Sequence, residues 1–179
     1  RALAAHHIRT PRLLAESADG LMFTHIGEHT LLHHIEASPE RLDYWQQGLT
    51  ALAQVHRSGQ YLSQAFARNI IVCNDGQIGF IDFEDDRGHY MPLERCQSRD
   101  YLCYLQSTAV WLQKHGLLDQ AAAIWRQHAA IWRQHAAALR TPIESAIRPI
   151  GWMRHLQAGF WGNDTLRLAA LAALFEQAK

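Results

Sequence analysis

Asn69 and Asp82 are the two side chains whose types and spacing point most directly to shared chemistry. They lie thirteen residues apart. Between them, 70–73 and 78–81 read as two short strands joined by Asn74-Asp75-Gly76, residues that tolerate the positive φ of a tight hairpin turn. A hairpin returns the chain to the end where it started, which brings the Asn69 amide oxygen beside the Asp82 carboxylate. Two hard oxygen donors of this kind suit Mg²⁺. The acidic run Glu84-Asp85-Asp86 follows directly and reads either as a further metal ligand or as a solvated strand end.

Helices must hold that hairpin in place. Leu42, Trp45, Leu49, Leu52 and Val55 recur at three- and four-residue intervals, which predicts a helix over 39–58 that opens at Ser38-Pro39 and stops at Gly59. A shorter helix is expected at 30–35. A longer one, at 93–115, carries Leu102, Leu105, Ala109 and Leu112 on one face and contains Asp100. Two strands, at 11–15 and 21–26, precede all of these and are separated by Ser17-Ala18-Asp19-Gly20. Further on, A-A-I-W-R-Q-H at 122–128 is repeated at once at 129–135. A seven-residue repeat in an Ala-rich context predicts one helix over 117–140, with Trp125 stacked over Trp132 and His128 over His135. Helices at 142–157 and 165–178 complete an α-helical C-terminal half. The fold class read from this order is α+β, mainly α with a small β component.

Taken singly these residues say little; in order they agree on five points. The L-x-x-x-H-x-x-G helix end (Leu52, His56, Gly59), the Asn, the hairpin, I-D-F-E and the later helical Asp100 together resemble the C-terminal lobe of the protein-kinase-like superfamily. Within it the segment is most similar to the small bacterial branch of lipopolysaccharide (Kdo) kinases and toluene-tolerance proteins, over about 11–112. The resemblance implies Asn69 and Asp82 as Mg²⁺ ligands, with Mg²⁺ and ATP as cofactors. It implies that the hinge residues Thr24, His25 and Ile26 offer backbone groups to the nucleotide's adenine, that His56 packs behind the metal-binding Asp, and that Asp100 supports the catalytic-type loop. The acceptor implied is a small-molecule or lipid-linked hydroxyl. The short span from Asp82 to Asp100 favours a compact lobe without a long activation segment.

One position departs from the family pattern. Where the family reads H-G-D or H-R-D, this chain reads Leu62, Ser63 and Gln64, so Gln64 stands at the catalytic-Asp position. A carboxamide donates and accepts hydrogen bonds but takes up no proton near neutral pH. Gln64 is therefore expected only to position a hydroxyl or a water. No glycine-rich loop is present, and Lys114 and Lys179 are the only lysines. The chain is thus expected to be either a fragment of a longer protein or a reduced relative, with 1–27 a remnant of N-lobe strands and hinge and 28–179 a helical C-lobe. The functions kept open are a phosphotransferase, a catalytically inactive pseudokinase that binds nucleotide or acts as a scaffold, and a helical interaction module in which the repeat-bearing helix meets a partner through an exposed Trp125/Trp132 face.

Composition bounds these readings. With 179 residues, 48% of them hydrophobic and 19% charged, the chain is long enough for one domain with a core and has the profile of a globular protein. Acidic and basic residues balance at seventeen each, so no nucleic-acid partner is expected. No apolar run is long enough to span a bilayer, and a cytoplasmic protein is expected. Cys73, Cys96 and Cys103 have no C-x-x-C spacing, and Cys73 reads as a small core residue. Among the twelve histidines, His29 and His33 have the spacing of helical metal ligands, but no Cys or carboxylate nearby completes a shell, and they read as exposed or capping groups.

Overall fold

A stripe of Trp, Leu and Val explains the helix around which the body forms. In the computed structural model, which describes residues 2–38, 40–83, 87–131, 133–156 and 161–179, α3 spans Asp43–Arg57 and buries Trp45, Leu49, Leu52 and Val55. Each such side chain contributes about 1.5–3 kcal/mol when fully buried. The helix stops one residue before Gly59, whose φ of +73° continues no helix. α4 (Leu93–Lys114) packs against α3 through a polar clasp as well as apolar contacts. Trp45 Nε1 donates to Thr108 Oγ1 at 3.0 Å, and the Tyr104 hydroxyl donates to the Trp45 carbonyl at 2.7 Å. The fit is so close that a Cβ on Gly48 would come within 2.3 Å of the Tyr104 oxygen.

Against this pair stands a small antiparallel sheet. Its strands β3 (His29–Thr30), β4 (Ile70–Val72) and β5 (Ile78–Phe80) are ordered β3-β4-β5, with Ile70 opposite Phe80 and Val72 opposite Ile78. Thr30 also caps α2 (Leu31–Ala37), its hydroxyl accepting the His33 N–H at 3.1 Å. The outer edge of β5 is covered by the N-terminal segment. Arg9 bridges Gly79 in parallel, the Phe80 N–H donates to the Arg9 carbonyl at 2.9 Å, and Ile8 enters the core. A short helix, α1 (Ala2–Ala5), precedes it. Residues 2–9 therefore pack on the body, not on the hairpin that follows.

That hairpin, β1 (Leu13–Ser17) with β2 (Gly20–Phe23), buries nothing: every residue of both strands is exposed. The C-terminal half comprises α5 (Leu118–Ile131), α6 (Arg133–Ile147), a 3₁₀ stretch over Arg148–His155 and α7 (Asn163–Gln177), which packs on the 3₁₀ stretch, α4 and α5. The molecule is mostly helical with a small sheet component, the α+β class expected. No helix among the described residues is long and apolar enough to cross a membrane.

Several expectations need correction. The helix expected over 117–140 is described as α5 to Ile131 and α6 from Arg133, with Trp132 outside the described residues; α6 lies against α4, where the Ser98 hydroxyl donates to the Leu139 carbonyl at 3.2 Å. Pro142, read as a helix start, sits inside α6, and 148–155 is 3₁₀ rather than α. The stacking expected for Trp132 and His135 falls outside the described side chains. Trp125 is buried at 9% exposure, so it forms core and not a docking face. His29 belongs to β3 and His33 to α2, so the pair is not one helical face; their rings stack at 4.3 Å. The helix expected at 39–58 starts only at Asp43, and Pro39 lies outside the described residues. Cys73, Cys96 and Cys103 are all buried.

Candidate functional site

The hairpin β4–β5 forms as its turn residues predict, but it sets the Asn69 amide nitrogen, not the expected oxygen, beside the Asp82 carboxylate. It folds Asp82 back to Asn69, whose Nδ2 donates to Asp82 Oδ2 at 2.9 Å. The same amide donates to the Gln64 carbonyl at 3.1 Å, so one Asn ties the loop before it to the residue after the hairpin. Backbone bonds reinforce the link: the Ile81 N–H donates to the Asn69 carbonyl at 3.0 Å and the Asn69 N–H to the Phe66 carbonyl at 2.8 Å. Asn69 is buried and Asp82 exposed, so the pair stands at the edge of the body with its carboxylate toward solvent.

Two non-glycine residues with left-handed backbone flank this contact. Ser63, next to Gln64, has φ +68°, and Asp82 itself has φ +67°. Aspartate tolerates that region, whereas serine does so at a cost, and such strain persists only where surrounding structure enforces it. The enforcing contacts come from α4. Asp100, fully buried, accepts the Leu62 N–H at 2.8 Å through Oδ2, which also lies 3.0 Å from His56 Nε2. Arg99 donates to the Ser63 carbonyl at 2.9 Å, and the Gln97 amide donates to the carbonyls of His56 and Gln60 at 3.1 and 3.0 Å. Ser107 accepts the Ala67 N–H at 3.0 Å. His56 Nδ1 and Asp100 Oδ1 are buried without hydrogen-bond partners among the described residues.

The expected site residues thus fall into three groups. The Asn69 amide bonds both the Asp82 carboxylate and the backbone carbonyl of Gln64. His56 and Asp100 form one buried pair beneath the loop, with His56 Nε2 3.0 Å from Asp100 Oδ2. Thr24, His25 and Ile26 form an irregular stretch between β2 and β3. There Thr24 exchanges backbone and hydroxyl bonds with Arg12, Ile26 leans on β5 at Gly79, and His25 is exposed. The run Glu84-Asp85-Asp86 lies outside the described residues.

Gln97, Arg99 and Ser107 were missed from sequence, although a signal existed. Gln97, Asp100, Tyr104 and Ser107 recur at three- and four-residue spacing on an otherwise apolar helix stripe, and polar groups held at core positions need partners.

The donor set fits a phosphate-bound Mg²⁺ better than an all-protein metal cage. Among the described residues no group of three or more His, Cys, Asp or Glu side chains could hold a metal ion. Mg²⁺ commonly takes only one or two protein oxygens and completes its shell with phosphates and water. Asn69 Oδ1 and Asp82 Oδ1 carry no hydrogen bond among the described residues. Compared with protein families, curated proteins and solved structures, the chain gave no match.

Proposed function

We propose that the chain carries the metal-holding half of a kinase-type phosphotransfer site, set in a body of the kinase C-lobe kind, and binds a Mg²⁺–nucleotide at Asn69 and Asp82. The observation that carries this reading is the 2.9 Å contact between those two side chains, made across a hairpin and flanked by the left-handed Ser63 and Asp82. Bound Mg²⁺ would supply neutralisation of phosphate charge, the main demand of phosphoryl transfer. Asn69 and Asp82 would orient it with one oxygen each. Thr24, His25 and Ile26 would offer backbone groups to adenine, and the acceptor would be a small-molecule or lipid-linked hydroxyl.

Gln64 supports a second reading. Its carboxamide can orient a hydroxyl but cannot accept its proton, which favours a nucleotide-binding pseudokinase over an active transferase. A thermal-shift titration with ATP and Mg²⁺ tests what both readings share. A Mg²⁺-dependent rise in melting temperature is expected, since a ligand at 100 times its Kd stabilises the folded state by about 2.7 kcal/mol. Asp82→Ala should abolish the rise without unfolding the protein. No rise in the parent chain, or calorimetric binding undiminished in that variant, overturns the assignment. ATP turnover that appears in Gln64→Asp would favour the transferase reading; binding without turnover in either form would favour the pseudokinase.

A further inference from the structure

A second concavity, lined by none of Gln64, Asn69 or Asp82, opens in the C-terminal half between α5, α6, the 3₁₀ stretch and α7. Its volume is about 1000 Å³, at the top of the ~300–1,000 Å³ range of small-molecule sites. Trp125, Ile143, Ile147 and Phe175 give it an apolar wall. At the floor, His128 Nε2 lies 3.1 Å from the Tyr101 hydroxyl. Burial pushes the His128 imidazole down to about 4, so it is neutral at neutral pH and adds a polar contact without charge.

The rim is cationic although the whole chain is formally neutral. Both carboxylates on it are already engaged: Glu144 with Arg140 at 2.6 Å and Glu176 with Lys179 at 2.7 Å. Arg126 and Arg154 donate to the backbone carbonyls of Gln177 and Gly151, and Arg154 also lies in the field of the Glu176 carboxylate, which bonds to Lys179. Arg148 has neither an ion-pair nor a hydrogen-bond partner among the described residues. In a 3₁₀ helix, residues three apart eclipse one another. Arg148, Gly151 and Arg154 therefore form one row, and all three line the cavity. Gly151 leaves the middle of the row vacant, since a Cβ there would meet no atom within 4 Å.

We propose that this cavity binds a small anionic amphiphile, a fatty carboxylate whose chain lies on Trp125, Ile143, Ile147 and Phe175 and whose head sits between Arg148 and Arg154. The apolar wall adjoins two guanidiniums that hydrogen-bond to no carboxylate among the described residues, and an apolar ligand without charge would leave those cations unused. Calorimetric titration of the whole chain with dodecanoate, kept below its micellar concentration, is expected to give saturable binding of one molecule per chain. Dodecanol and the Arg148→Ala/Arg154→Ala variant should each bind at least about tenfold more weakly. Gly151→Leu, which fills open space, should block binding while leaving the melting temperature of the free protein unchanged. It serves as the test should the double variant fail to fold. Equal affinity for dodecanol, undiminished binding in both variants, or unsaturable uptake of many molecules would each overturn the proposal. Tighter binding of dodecyl phosphate than of dodecanoate would overturn the choice of head group.

Discussion

The loop around Gln64 and the hairpin β1–β2 are both short irregular or extended segments, yet they are held in opposite ways. The loop is fastened from below by Gln97, Arg99, Asp100 and Ser107, four side chains of one helix. Among the described residues the hairpin is held by its own backbone ladder and by the Ser17 hydroxyl at its turn, and Leu13, Leu14, Leu21, Met22 and Phe23 stand 45–60% exposed. An isolated two-stranded hairpin is marginal in water. Local backbone order is thus no measure of how strongly a segment is anchored, and the candidate metal site draws its rigidity from the helical body together with the β4–β5 hairpin that returns Asp82 to Asn69.

Substitutions can sharpen this contrast or break it. The largest effect is expected at Asp100. Its replacement by Ala leaves the Leu62 N–H and the His56 imidazole buried without their acceptor, and each buried donor left unsatisfied costs about 1–3 kcal/mol. Urea unfolding would show this as a lower midpoint; a loss under about 1 kcal/mol, the scale of an exposed pair, would mean the loop is not fastened there.

Next is a pH effect within the body. His128 titrates near 4 when folded, below its ordinary 6.5. Between these values the unfolded chain binds more protons, so stability is fully present above about 6.5 and is lost as pH falls toward 4. The full shift would correspond to about 3 kcal/mol at 1.36 kcal/mol per pH unit. Melting temperatures measured across that window should fall less steeply in His128→Gln; parallel curves would remove His128 from the account.

Gly48→Ala sets two effects against each other. Helix propensity favours Ala by about 1 kcal/mol, while the new methyl collides with the Tyr104 oxygen inside the α3–α4 clasp. Overpacking typically costs about 1–3 kcal/mol, so a net loss is expected, and a more stable variant would show the clasp to be loose. At the bottom of the scale, Met22→Ser in β2 should change stability by no more than about 0.5 kcal/mol. A larger loss would mean the hairpin is packed after all.

Much of the fold was readable because burial leaves periodicity in the sequence. Leu49, Leu52 and Val55 mark α3, and the strands around Asn74-Asp75-Gly76 lie within one residue of their expected bounds. α4 ends one residue early and α7 begins two residues early. Of the candidate site, the meeting of Asn69 with Asp82 followed from turn chemistry. The bond from His56 to Asp100 did not, since spacing along a chain marks which polar groups are buried without saying which of them become partners. Exposure of Leu21 and Met22 was likewise invisible, because an apolar strand reads the same whether or not anything covers it.

The Leu62 amide, donated to a fully buried carboxylate, also serves as a clock. Its proton can trade with solvent only when α4 separates from the loop, so its exchange in deuterium oxide times the opening of the whole body, while the amides of β1 and β2 exchange through local fraying. One slow signal and several fast ones in the same spectrum would therefore follow the unfolding of the candidate site separately from the motions of the hairpin.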